Sequence, residues 1–194
     1  MGVTWKYDTM FNSAFTEHNF QQLLFKAGVE TISVDYELSD TYESLVEDVN
    51  KITPEVDFIM GYSFGCLLAV ATAQKNTKGI ILLDANSLGG NAGLNYIQDK
   101  ETAQQFFERD LATKNEKLKD IPEKLIINPY KPKTFLIFSE YGDKNNNLAT
   151  HGMYLRALGK VNKTVIRHSS HYIMIEPARF ELAKEVIGIM NAHT

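Results

Sequence analysis

Five consecutive residues, Gly61-Tyr62-Ser63-Phe64-Gly65, match the pattern G-x-S-x-G. In that pattern a serine rides on a sharp strand-to-helix turn that exposes its hydroxyl, and the two glycines let strand and helix backbones approach closely. The context fits: Val56-Asp57-Phe58-Ile59-Met60 reads as a strand ahead of the motif, and the apolar, Ala-rich run Cys66 to Ala73 reads as a helix behind it. A Ser63 hydroxyl becomes a nucleophile only when a base takes its proton. Five histidines are present, His18, His151, His168, His171 and His193. In this arrangement the base comes last in chain order, on the loop after the final strand. That loop carries both His168 and His171, and His171 is the better placed, just ahead of the closing helix with an apolar run behind it. His18, His151 and His193 read as surface or helix histidines.

The base in turn needs a carboxylate to hold its tautomer and stabilise the imidazolium. Asp84 ends the strand Gly79-Ile80-Ile81-Leu82-Leu83, and Asp143 follows the next one, Thr134 to Ser139. Both stand at the C-terminal end of a strand, where open parallel sheets bind ligands, so spacing alone leaves the choice open. An oxyanion would be held by two backbone N–H groups. The residue after the serine, Phe64, supplies one, and Phe11 or Asn12 in the loop after the first strand supplies the other. Cys66, the sole cysteine, lies in the apolar helix and reads as a buried packing residue. It excludes an internal disulfide and leaves no thiolate metal site to expect.

The elements that must position these residues follow from patterning. Unbroken β-branched or apolar runs recur at Val3–Tyr7, Glu30–Asp35, Val56–Met60, Gly79–Asp84, Thr134–Ser139 and Lys163–Arg167, as in parallel strands covered on both faces. Helical spacing appears at Phe20, Leu23, Leu24 and Ala27, with Gly28 placed to stop the helix. Asp40-Thr41-Tyr42-Glu43 reads as a capping box ahead of a stripe formed by Tyr42, Leu45, Val46 and Val49. Near the end of the chain Pro177 fits a first helical position, and Phe180, Ala183, Ile187 and Met190 fall on one face. Alternating strands and helices predict an α/β domain spanning 1–194, with a mostly parallel sheet of about six strands flanked by helices. The segment 85–133 is longer than one crossover helix needs and reads as a helical lid insertion; Ala103, Phe106, Phe107 and Leu111 give it an amphipathic helix.

Composition narrows the partners. Twenty Lys plus Arg against 24 Asp plus Glu leave a net charge of −4, which gives no electrostatic reason to bind nucleic acid. The longest apolar run, Cys66 to Ala71, is far short of a membrane span. The opening MGVTWKYDTM has no basic region followed by an apolar one, so a cytoplasmic protein is expected.

The stretch GYSFGCLLAVATAQKNTKGIILLDANS resembles the core of α/β-hydrolase thioesterases from nonribosomal peptide and polyketide synthases. Those enzymes carry G-[YHW]-S-x-G-G, a helix, and a strand ending in L-L-D-[SA]. The resemblance reaches weakly upstream through Val34-Asp35-Tyr36 and resumes at 133–143 and at Ser170-His171-Tyr172-Ile173-Met174; the 85–133 segment shows none. It implies Ser63 as acyl-accepting nucleophile and His171 as general base. In synthase-terminal members the acid follows the strand after the nucleophile helix, which implies Asp84. In stand-alone editing members it follows the next strand, which implies Asp143 as the alternative. There are two departures: Cys66 stands where the family has its second glycine, and the usual first strands of a full hydrolase have no counterpart ahead of Val3. The implied substrate is an acyl or peptidyl chain on the phosphopantetheine arm of a carrier protein, released by hydrolysis or cyclisation without a cofactor. A small carboxylesterase and a non-catalytic binding protein of the same fold are the competing expectations.

Overall fold

In a computed structural model of the chain, the described residues are 2–3, 19–34, 36, 41–63, 65–85, 125–141, 144–170, 173–174 and 177–193. Five strands appear among them: β1 (Gly2–Val3), β2 (Phe58–Tyr62), β3 (Gly79–Leu83), β4 (Lys133–Ser139) and β5 (Val161–Ile166). They form one sheet whose order follows the chain, β1-β2-β3-β4-β5, with every neighbouring pair parallel. The candidate strand at 30–35 is represented by an isolated bridge residue, Ser33. The candidate lid falls almost wholly on residues 86–124, outside the described residues.

The unbroken apolar runs are explained by burial on both sides, because successive strand residues serve opposite faces. Ile59, Ile80, Leu82, Leu136 and Phe138 face one core with helices α2 (Tyr42–Ile52) and α3 (Gly65–Thr72) and with Tyr154 of α4 (Lys144–Leu158). Phe58, Met60, Ile81, Leu83, Phe135 and Ile137 face the other core with α1 (Phe20–Lys26) and α5 (Arg179–Asn191). The result is a three-layer sandwich.

The helices depart from the sequence expectations in instructive ways. For α1, Asn19 caps the start by accepting from Gln22 N at 2.8 Å, and Gly28 takes φ 81 where the helix stops. That left-handed turn is open to glycine at little cost. For α2 the capping box lies one residue later than expected: Thr41 Oγ1 accepts from Ser44 N, and Ser44 Oγ from Thr41 N. Ser44, not Glu43, closes the box, and Glu43 is left in the first turn where the helix dipole favours an acid. The buried stripe Tyr42, Leu45, Val46 and Val49 is as expected.

Helix α5 begins at Arg179, so Pro177 lies outside it, its carbonyl accepting from Phe180 N. Its buried residues are Leu182, Ala183, Val186, Ile189 and Met190, while Phe180 is exposed beneath the Arg179 guanidinium. Two overlapping apolar arcs run along this helix, and packing against the sheet selects the one through Leu182 and Val186. Helix α4 left no clear trace in the sequence, since Asn145-Asn146-Asn147 are poor helix formers.

Helix α3 is buried on all sides, as its apolar sequence requires. Its polar backbone is satisfied from neighbours: Tyr42 Oη donates to Leu67 O at 3.0 Å, and Asn128 donates through its backbone N to Val70 O and through Nδ2 to Ala71 O. Because α3 is clamped at both ends, its N-terminus is held against the tip of β2.

Candidate active site

Strand β2 runs to Tyr62 and α3 starts at Gly65, so Ser63 occupies the turn between them. Its φ is 51, a left-handed conformation that residues with a Cβ resist. Ser63 N donates to Leu83 O at 2.9 Å, and Ser63 O accepts from Cys66 N at 3.1 Å, so the strained turn is pinned to both β3 and α3. Gly61 shows why the motif needs glycine there. A Cβ on it would lie 2.4 Å from Gly65 O and 2.7 Å from Cys66 Cα, inside the backbone of α3. Strand and helix cross too closely for any side chain.

Cys66 is fully buried, and its thiol donates to Gly61 O at 3.2 Å and to Leu83 O at 3.5 Å. Burial pushes its ionisation well up, and the nearby Asp84 charge adds to this. It is therefore a neutral packing residue that also ties the turn to β3.

Asp84 follows β3 with φ 45, a second strained non-glycine residue, and is 5% exposed. Its backbone N donates to Ile137 O at 2.7 Å. Its carboxylate is held by Ser139 at the end of β4: Oδ1 accepts from Ser139 N at 2.9 Å and from Ser139 Oγ at 2.8 Å. Two strained residues side by side at adjacent strand ends are the kind of feature that clusters at functional sites.

Beyond Ser139 the chain is laced to the turn after β5. Glu140 N donates to Ile166 O and to Ser169 Oγ, and Tyr141 N donates to Ser169 O at 2.9 Å. Glu140 Oε2 accepts from His168 N at 2.6 Å. His168 has φ 52 and an exposed ring, with Nδ1 3.2 Å from Tyr141 Oη. None of its hydrogen bonds reaches Ser63 or Asp84, so the second candidate base is engaged elsewhere.

The structure thus brings Ser63, Cys66 and Asp84 together. His171, Asp143, Phe64, Phe11 and Asn12 lie outside the described residues. Ser139, Glu140 and Ser169 escaped the sequence reading. The available signal was a polar residue ending a wholly apolar strand, which is a weak one. His151 lies on α4 and is partly exposed, and His193 sits edge-on to Phe135 at the far end of the sheet. Among the described residues there is no group of three or more His, Cys, Asp or Glu able to hold a metal, and no helix long and apolar enough to cross a membrane.

Comparison with solved structures places this arrangement among known folds. The RedJ thioesterase of the prodiginine biosynthetic pathway in Streptomyces coelicolor superposes with a TM-score of 0.58 at 18% identity, over 96% of this chain and 84% of that one. MenH from S. aureus gives 0.58 at 10% identity, over 90% and 88%. A carboxylesterase from the thaumarchaeon Nitrososphaera gargenis gives 0.56 at 14%, over 89% and 85%. No protein-family model matches the chain, and no curated protein matches it. These likenesses, with a parallel sheet and a serine at the strand-to-helix turn, establish that the chain has the α/β-hydrolase fold.

Proposed function

We propose that the protein is a serine hydrolase of ester or thioester bonds, and more specifically a thioesterase acting on an acyl or peptidyl chain carried by a carrier protein. The observation that carries the reading is the pairing of two strained residues, Ser63 at φ 51 and Asp84 at φ 45, on neighbouring strand ends. Ser63 Oγ attacks the acyl carbonyl while His171 takes its proton. The collapsing intermediate expels the phosphopantetheine thiol, which leaves with that proton. Water, or a nucleophile within the acyl chain, then releases the product and regenerates Ser63. Backbone N–H groups of Phe64 and of Phe11 or Asn12 serve the oxyanion.

Asp84 is the acid in this reading. The two Ser139 donors on Oδ1 favour it over Asp143, because they offset the cost of burying a carboxylate and fix its direction. A helical lid over 85–133 would shield the acyl chain from water. The likeness to a thioesterase supports the thioester substrate. The likeness to a carboxylesterase supports a second reading, hydrolysis of free esters by the same residues. The reading calls for no oxidising compartment, since Cys66 stands alone, and a cytoplasmic location is part of the proposal.

A fluorophosphonate probe should label the folded protein at Ser63, and Ser63→Ala should abolish labelling; an unlabelled native protein overturns the catalytic reading. Asp84→Asn should lower kcat by about four orders of magnitude with Asp143→Asn far milder, and the reverse order would reassign the acid. Acyl thioester mimics should be turned over with higher kcat/KM than p-nitrophenyl esters. A clear preference for the nitrophenyl esters would favour the carboxylesterase.

A further inference from the structure

We infer that the exit of β4, Ser139-Glu140-Tyr141, is a positioning bracket that sets the carboxylate of Asp84 against the chain leading into His171. The inference rests on the assignment of Asp84 and His171 proposed above. Three consecutive residues do different parts of one task. Ser139 is fully buried and aims both its backbone N–H and its hydroxyl at a single carboxylate oxygen, Asp84 Oδ1. Two donors on one oxygen fix the rotation of the carboxylate and so the direction of its other oxygen.

Glu140 and Tyr141 hold the turn after β5. Glu140 N donates to Ile166 O and Ser169 Oγ, while its carboxylate accepts from His168 N. Tyr141 N donates to Ser169 O, and Tyr141 Oη meets His168 Nδ1. Ser169 is itself buried, with its hydroxyl donating to Ile166 O at 2.7 Å. The turn is therefore fastened at 168 and 169, and His171 follows two residues later. Asp84 stands at the exit of β3 and the 168–169 turn at the exit of β5, with β4 lying between them. The β4 exit is bonded to both, so it sets their separation. Misplacing a reacting group by about 1 Å costs roughly a hundredfold in rate, so such a bracket acts on kcat rather than on substrate affinity.

The test is steady-state kinetics on p-nitrophenyl butyrate, with thermal melting of every variant. Ser139→Ala should lower kcat about ten- to a hundredfold with KM within about twofold, and should add nothing when combined with Asp84→Asn. Glu140→Ala should lower kcat about tenfold, and Glu140→Gln should restore most of it, because an amide oxygen still accepts from His168 N. Wild-type kcat in Ser139→Ala, or losses that multiply with Asp84→Asn, would defeat the bracket while an inactive Asp84→Asn left the acid assignment standing. So would a kcat loss in Glu140→Ala that tracks a collapse in Tm and that Gln does not rescue. Wild-type kcat in Asp84→Asn itself would remove the acid assignment and the bracket together.

Discussion

Ser63 is held in a backbone conformation that a side chain opposes and that only its surroundings enforce. Its φ of 51 is stabilised by bonds to Leu83 O and from Cys66 N, and glycine would adopt it without the Cβ penalty. Ser63→Gly should therefore remove turnover while raising stability by about 1 kcal/mol, the usual sense of a trade between activity and stability. Urea denaturation of Ser63→Gly beside Ser63→Ala checks this, and equal midpoints for the two would contradict it. At this scale the sequence was legible where the signal is local. The G-x-S-x-G motif spans five adjacent positions, and a cysteine inside an apolar run reads as buried. Ser139 and Glu140 were illegible because their partners, Asp84 and His168, are remote in the chain and meet them only once neighbouring strand ends are assembled.

The elements around that turn are tuned to close approach. Strand β2 and helix α3 cross so tightly at Gly61 that a methyl group would enter the backbone of Gly65 and Cys66. Gly61→Ala should destabilise the fold by about 1–3 kcal/mol and abolish fluorophosphonate labelling, because the helix must retreat and carry the turn with it. A variant with wild-type melting temperature and labelling would show that the crossing can relax. The central strands β2, β3 and β4 were readable from unbroken apolar runs, since burial on both faces leaves no alternation, whereas the run at 30–35 gave only the bridge at Ser33. Boundaries were less so: β2 runs on to Tyr62, beyond the expected end, because hydrogen bonds to β3 continue up to the turn. The apolar face of α5 differs from the expected one because two arcs overlap in its sequence and only the sheet decides between them.

At the scale of the whole molecule, Tyr42, Tyr154 and Cys66 stand out among the described residues as groups whose burial makes ionisation costly. Tyr42, Tyr154 and Cys66 share one core, and burial raises the ionisation of all three. The folded chain therefore keeps protons that the unfolded chain releases near pH 8.5 for the thiol and about pH 10 for the phenols. More protons bound in the folded state means stability falls as pH rises. Urea midpoints should decline above about pH 8.5 and more steeply above about pH 10, and Tyr154→Phe should flatten the upper part. An unchanged slope in that variant would place the loss elsewhere. Tyr154 Oη is also buried without a hydrogen-bond partner among the described residues, so its phenylalanine counterpart gives up no bond there.

Beyond β1 at its edge, the sheet is two local units joined side by side. In β2-α3-β3, Phe58 pairs with Gly79, and in β4-α4-β5, Thr134 pairs with Val161, each across a single crossover helix. Ser63 and Asp84 come from the first unit, and Ser139, Glu140 and Ser169 from the second. The candidate site is a seam that exists only once β3 lies against β4. The chain that spans the seam includes residues 86–124, and the entropy of closing such a connection grows only slowly with its length. That stretch can lengthen, shorten or change sequence in descendants of this protein while the seam, and the geometry it fixes, stays the same.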